Sequence, residues 1–398
     1  MYTAGYDRSM QTGLERFLGD PARWVRGARV GLIANPTTVD RRFRHAIDLF
    51  HSHSDVNLVL LFGPEHGIRG AAQDMIHVGD AHDPVTHVPE VSLYGKTFES
   101  LTPRAEDLER IDVLLFDIQD VGARYYTYAA TMALAMQAAA KAGVRFIVLD
   151  RPNPIGGAQV EGGGLQGGLE NFCALYPVPQ RHGMTVGELA RLYNTTFAIG
   201  CDLEVVTCEG WKRSWYYEET GLPWVMPSPN MPTVETAVVY PGMCLLEATN
   251  LSEGRGTTRP FELFGAPFID GRALAAELDR CGIEGAIFRA CSIEPTFHKH
   301  GRQPCGAVQI HVTDRARFDS YRTGLAVLAS VKKLWPEDFQ WRTEAYEFRD
   351  DVPAIDLLTG YPAVREAIDA GALFEDIVTL SAAGRERYDA GRATALLY

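Results

Sequence analysis

Along the first half of the chain, short apolar runs alternate with stretches whose apolar residues recur at helical spacing. The runs cover residues 29–35 (RVGLIAN), 57–62 (NLVLLF), 91–94, 113–116 (VLLF), 145–149 (RFIVL) and 203–207 (LEVVT). Most are apolar throughout rather than alternating, as strands covered on both faces should be. Residues 43–51, 104–110, 127–142 and 185–197 carry the helical period between them. The longest of these, TYAATMALAMQAAAKAG, is Ala-rich and ends at a glycine able to cap it just before the next strand. Strand and helix in alternation predict βαβ units and a mostly parallel sheet.

Beyond the proline-rich stretch WVMPSPNMPT at 224–233 the pattern changes to mixed strands and helices. Strands are expected at 282–292 and 305–313 and helices at 315–334 and 361–370. The expected fold is therefore α/β: an N-terminal domain over residues 1–236 and a smaller α+β domain over 237–398. A chain of 398 residues is too long for one ordinary core, which agrees with two.

Composition narrows the function. With 46% hydrophobic and 22% charged residues the chain is neither disordered nor fibrous. A formal net charge of −13, with no run of Lys or Arg, argues against a nucleic-acid partner, so any anionic ligand must be met locally. Seven cysteines without a CxxC pair predict reduced thiols rather than a disulfide framework or a zinc ribbon. No segment approaches the roughly 20 apolar residues of a membrane span. The start MYTAGYDRSMQTGLERF lacks a secretory pattern, so the chain as given is expected in the cytoplasm, or exported if its N-terminus was trimmed.

Polar residues concentrate directly after the strands: GPEHGIRG at 63–70, DIQDVGARYYTY at 117–128 and DRPNPIGG at 150–157. Carboxyl ends of parallel strands share one rim, where open α/β sheets bind ligands, so topology brings these segments together. Glu65 sits in a tight Gly-Pro turn as a candidate proton donor, though it can equally cap a helix. His66 and Arg69 of the same segment are candidate substrate contacts. Asp117 and Asp120 are the candidate second acids, with a buried ion pair to a nearby arginine as the alternative for Asp117. Arg124, near a helix start, suits a carboxylate ligand. Tyr125 and Tyr126 offer a flat face to a sugar, and Tyr126 is the candidate for a direct part in catalysis. Arg151 and Asn153 are expected to hold substrate or neighbouring loops. Asn230, Glu247, Asn250, Glu253 and Arg255 bring another polar loop to the domain junction, a usual place for a small-molecule cleft.

No GxGxxG follows the first strand, and neither GxxxxGK(S/T) nor GxSxG occurs in the sequence. Glu65, His66, Asp117, Asp120 and Asp150 could meet around a metal, but no HExxH and no close histidine pair accompanies them in the N-terminal half, and His298 and His300 look solvated. No metal or other cofactor is expected.

GLIANPTTVD, LFGPEHGIRG, SLYG, FDIQDVGARYYTY, VLDRPNP, RHGMTVGELA, SPNMPT, EATNLSEGRGTTRPFE, GAP and the terminal LLY resemble, in order, the pattern of the exo-β-N-acetylmuramidase family NamZ. The resemblance runs from about residue 28 to 398. It implies a Rossmann-like N-terminal domain, a smaller C-terminal domain with a cleft between them, and hydrolysis of N-acetylmuramic acid from the non-reducing end of peptidoglycan fragments. Glu65 then matches the glutamate of the family's GPEHG motif and serves as general acid, with Asp120 or Asp117 assisting. The lactyl carboxylate of that sugar needs a cation, for which Arg124, Arg151 and Arg255 are the candidates. Many relatives are exported, whereas no signal is seen here. A metal-assisted amidase or esterase on muropeptides, or a non-catalytic sugar-binding protein, are the other classes these residues allow.

Overall fold

The computed structural model describes residues 10–65, 67, 68 and 81–398. The apolar runs become β1 (Arg29–Ala34), β2 (Asn57–Gly63), β4 (Pro89–Ser92), β5 (Val113–Asp117), β6 (Arg145–Leu149) and β7 (Leu203–Val206) of one sheet, with a short β3 (Ala81–His82) at its edge. The order is β3-β4-β2-β1-β5-β6-β7, and every pairing except β3–β4 is parallel. β5 is buried at every position, as its unbroken apolar run requires. The Tyr128–Ala142 helix lies buried along most of its length and ends at Gly143 in the left-handed conformation, φ 69°.

The C-terminal half holds a three-stranded antiparallel sheet, β8 (Leu263–Ala266), β10 (Cys305–Val312) and β9 (Ala286–Ile293) in that order. Helices Gly271–Arg280 and Ser320–Leu334 pack against each other, and the first also packs on this sheet. The fold is thus a mostly parallel α/β sheet joined to a smaller α+β unit.

Helix Val234–Met243 crosses position 236, so the expected boundary falls within an element. Its VVYPGM sequence reads poorly as a helix, since it is β-branched and contains Pro241. Tertiary packing overrides that preference. Gly242 lies so close to the Ser320–Leu334 helix that a Cβ there would fall 1.7 Å from the Ser320 carbonyl oxygen. The Ser320 hydroxyl accepts from Gly242 N at 2.9 Å and donates to Val239 O at 2.7 Å.

The two halves share one continuous apolar core. The last helix, Arg385–Ala395, returns to pack on Val186–Thr195 of the N-terminal half, and the Tyr398 hydroxyl donates to Asp150 at 2.6 Å. No helix among the described residues is long and apolar enough to cross a membrane.

Candidate active site

The strand order reverses between β1 and β5, the usual ligand crevice of an open α/β sheet. Here the chain's own polar groups fill it. Thr38 donates its hydroxyl to the Asp117 carbonyl, Gln119 N donates to Thr37 Oγ1 at 2.9 Å, and Arg151 forks both carboxylate oxygens of Asp117 at 2.5 and 2.9 Å. Burial pushes the Asp117 carboxyl up, and Arg151 offsets only part of this. Asp117 and Arg151 therefore form the buried ion pair that was the alternative for Asp117, and neither lines the cavity described next. Asn153 is also structural: Nδ2 donates to Met184 O at 2.9 Å while Oδ1 accepts from Ile155 N at 3.0 Å.

A cavity of about 130 Å³ lies instead where the loops after β2 and β5 meet the C-terminal half. Glu65 is on its wall and 6% exposed. The Thr127 hydroxyl donates to Glu65 Oε2 at 2.8 Å, and the Tyr94 hydroxyl hydrogen-bonds the same carboxyl group. Segments following two separate strands thus converge on one acid. Tyr125 and Tyr126 also line the cavity. The Tyr125 hydroxyl is spent on Pro241 O at 2.7 Å. Tyr126 packs edge-on against Tyr240 and Tyr128, with ring centroids 5.8 and 5.1 Å away. Its hydroxyl is buried beside Ser228, and burial raises its pKa well above the ordinary value. Asn230 lies on the same wall.

The opposite wall comes from the C-terminal half. Glu247 accepts from Arg255 at 2.6 Å and from the Tyr346 hydroxyl at 2.9 Å. Glu253, fully buried just behind, meets Lys299 at 3.0 Å, Arg255 at 3.1 Å and His298 at 3.3 Å. Burial opposes its ionisation, but these cations outweigh that and hold the carboxyl well below the usual carboxylate range. Arg342 and Glu347 complete this side. Glu347 and Phe348 both adopt left-handed backbone, φ 47° and 65°. The Phe348 ring sits edge-on among Tyr94, Phe98 and Phe172 at 6.2 to 6.3 Å, which pins the Glu347 loop to the N-terminal half.

Several expected contacts go elsewhere. Arg124 is buried and donates to the carbonyls of Gly164, Val178 and Leu358 at 2.9, 2.9 and 2.5 Å, so it staples three chain segments instead of facing a ligand. Asp120 is off the cavity wall: Oδ2 accepts from Gly122 N at 2.6 Å and pairs with His182 Nε2 at 3.0 Å. Asp120 is near enough to Tyr126 to add, with Glu65, a small upward push to a hydroxyl that burial chiefly raises. Asn250 braces a loop, donating to Asp338 O at 2.8 Å and accepting from Gln340 N at 3.1 Å. His66 and Arg69 lie outside the described residues. Among the described residues no three His, Cys, Asp or Glu side chains gather as a metal site.

Lys299, Arg342, Glu347, Tyr94 and Thr127 escaped the sequence reading. Thr127 and Tyr94 carried a signal, being part of DIQDVGARYYTY and SLYG. The His298-Lys299 loop looked solvated, yet both side chains face the cavity.

Two family models match, described as exo-β-N-acetylmuramidase NamZ, N-terminal, over residues 30–235 and the corresponding C-terminal model over 238–398. The chain belongs to the NamZ family. It is 45% identical over 389 residues to the peptidoglycan β-N-acetylmuramidase NamZ of Bacillus subtilis (strain 168), covering 98% of this chain and 91% of that protein. Two crystal structures of DUF1343 family proteins from Bacteroides fragilis NCTC 9343 are similar. One has a TM-score of 0.90 at 35% identity, the other 0.76 at 27%, each covering 98% of this chain and 99% of theirs. In this NamZ chain the cavity offers an acid held by two hydroxyl groups, aromatic faces for a sugar ring, and a C-terminal wall rich in cations.

Proposed function

We propose that Glu65 is the proton donor of an exo-β-N-acetylmuramidase that releases N-acetylmuramic acid from the non-reducing end of peptidoglycan fragments. The chain is a glycoside hydrolase by its close kinship to NamZ. The observation that carries the site is the placing of Glu65: nearly buried, on the wall of the cavity between the two halves, its carboxyl hydrogen-bonded by Thr127 from the segment after β5.

The leaving sugar's glycosidic oxygen takes a proton from Glu65 as the bond to the anomeric carbon breaks; water supplies the oxygen of the new bond at that carbon and the proton that restores the acid. A second carboxyl group is the usual partner in such a cleavage. Glu347 is the one this reading favours, because Asp117 is ion-paired to Arg151 away from the cavity and Asp120 is paired with His182 off the cavity wall. Glu247, fixed by Arg255 and Tyr346, lines the same cavity as Glu65 and Glu347. Tyr126 and Tyr240 present aromatic surface to the ring.

Product analysis on the disaccharide of N-acetylmuramic acid β-1,4-linked to N-acetylglucosamine tests this reading. Equimolar release of the two sugars is expected. An intact disaccharide after prolonged incubation with folded protein would refute it.

A further inference from the structure

N-acetylmuramic acid differs from N-acetylglucosamine by an O3-lactyl group, whose carboxylate is ionised at neutral pH. A protein of formal net charge −13 must answer that anion with a local cation. Arg124 and Arg151 are committed elsewhere, to backbone carbonyls and to Asp117. At the cavity's C-terminal wall Arg255 is matched by Glu247 and Glu253, and Lys299 by Glu253.

Arg342 is different. Among the described residues it makes no ion pair. Its guanidinium lies 5.1 Å over the Tyr346 ring and spends Nη2 on Ala345 O at 3.0 Å. It is half-buried, and it borders both the cavity and a groove continuing outward past Thr249 and Gln340. The surroundings hold it in place: Arg342 N donates to Ala248 O at 2.8 Å, Trp341 bridges Thr249, and the Asn250 side chain clamps residues 338 and 340. A stacked, backbone-anchored guanidinium with donors to spare is preorganised for a planar, two-oxygen anion.

We propose that Arg342 binds the lactyl carboxylate of N-acetylmuramic acid and makes the enzyme selective for the acidic sugar, with Asn250 as a positioning residue for the loop that carries it. This rests on the muramidase reading above. The carboxylate forms a forked, charge-assisted contact to Arg342, while the sugar ring sits against the tyrosines and Glu65.

The test compares two chromogenic β-N-acetylmuramides, one with the free lactyl acid and one capped as its methylamide. Wild type should favour the acid by roughly 10- to 100-fold in kcat/KM, mostly through KM, as expected for one charge-assisted contact. Arg342→Gln should abolish the preference, bringing the acid to the level of the amide measured on the same variant, and keep the wild-type melting temperature. Arg342→Lys, which keeps the charge but loses the fork, should fall between. A wild-type preference for the acid that survives in folded Arg342→Gln overturns the proposal. If the glutamine variant does not fold, the lysine variant decides: a preference cut several-fold supports the proposal, and an unchanged one overturns it. Wild type that cleaves acid and amide equally overturns only this assignment, whereas wild type that cleaves neither overturns the muramidase reading and the assignment with it.

Discussion

Glu347 holds a backbone conformation that costs a residue with a side chain roughly 1 kcal/mol, and Phe348 beside it does the same. The packing of Phe348 among three aromatic rings offsets this and fixes a carboxyl group at the cavity wall. Asp117 has the opposite character: it is fully buried and wholly engaged by one arginine. Glu347→Gln should therefore lower kcat about 100-fold or more with little change in melting temperature. Asp117→Asn should cost about 3 to 5 kcal/mol in denaturant unfolding, because it leaves Arg151 buried and unpaired, while the folded fraction keeps its KM. Glu65 was legible because a parallel strand ending in Gly-Pro places the next side chain at a rim. Glu347 and Arg342 were not, because they sit in an irregular C-terminal loop whose position depends on contacts with residues hundreds of positions away.

The helix Val234–Met243 supplies Tyr240 to the cavity and crosses Ser320–Leu334 at Gly242 and Gly324. A Cβ on Gly324 would lie 2.2 Å from Gly242 O, a backbone atom that cannot swing aside. Gly324→Ala is expected to lower stability by about 3 kcal/mol or more in urea unfolding, since the helices must part to admit the methyl group. An unchanged midpoint would mean the crossing is looser than these distances. The strands of the parallel sheet were readable from their continuous apolar runs. This helix was not, because proline and β-branched residues speak against it and only the glycine-to-glycine approach of its partner compensates. Strand β8 and helix Gly271–Arg280 also went unread, although the helix carries a signal in its Asp270 cap and the apolar face of Leu274, Ala275 and Leu278.

Across the whole molecule, charges at the junction between the halves couple stability to pH. Glu161 pairs with Arg181 at 2.5 Å and accepts from Tyr321 N at 2.9 Å, and its carboxyl hydrogen-bonds that of Asp319. Burial, and then the Glu161 charge, push the Asp319 carboxyl up to about 7 from its ordinary 3.8. The folded state therefore holds this proton more tightly than the unfolded chain. The stabilisation is complete below about pH 4 and is lost as pH rises toward 7. Asp319→Asn keeps the helix cap and the donor to Glu161 but cannot ionise. Its melting temperature should fall less than that of wild type between pH 5 and pH 8, and parallel curves would contradict the shared proton. The two-part α/β and α+β architecture was legible from the change of pattern near the proline-rich stretch. The location of the cavity was only half legible: the rim was correct for the loops after β2 and β5, but side chains at the sheet's switch point fill the crevice where a ligand usually sits.

The central claim, that Glu65 gives up a proton to the departing sugar, has its most direct test in leaving-group dependence. Glu65→Gln and wild type would be compared on the natural disaccharide, whose sugar leaving group needs protonation, and on a nitrophenyl muramide, whose phenolate does not. The account predicts a loss of about 10² to 10⁴ in kcat/KM on the disaccharide and a loss at least tenfold smaller on the nitrophenyl substrate. Equal losses on both, or a disaccharide rate within about tenfold of wild type, would contradict it.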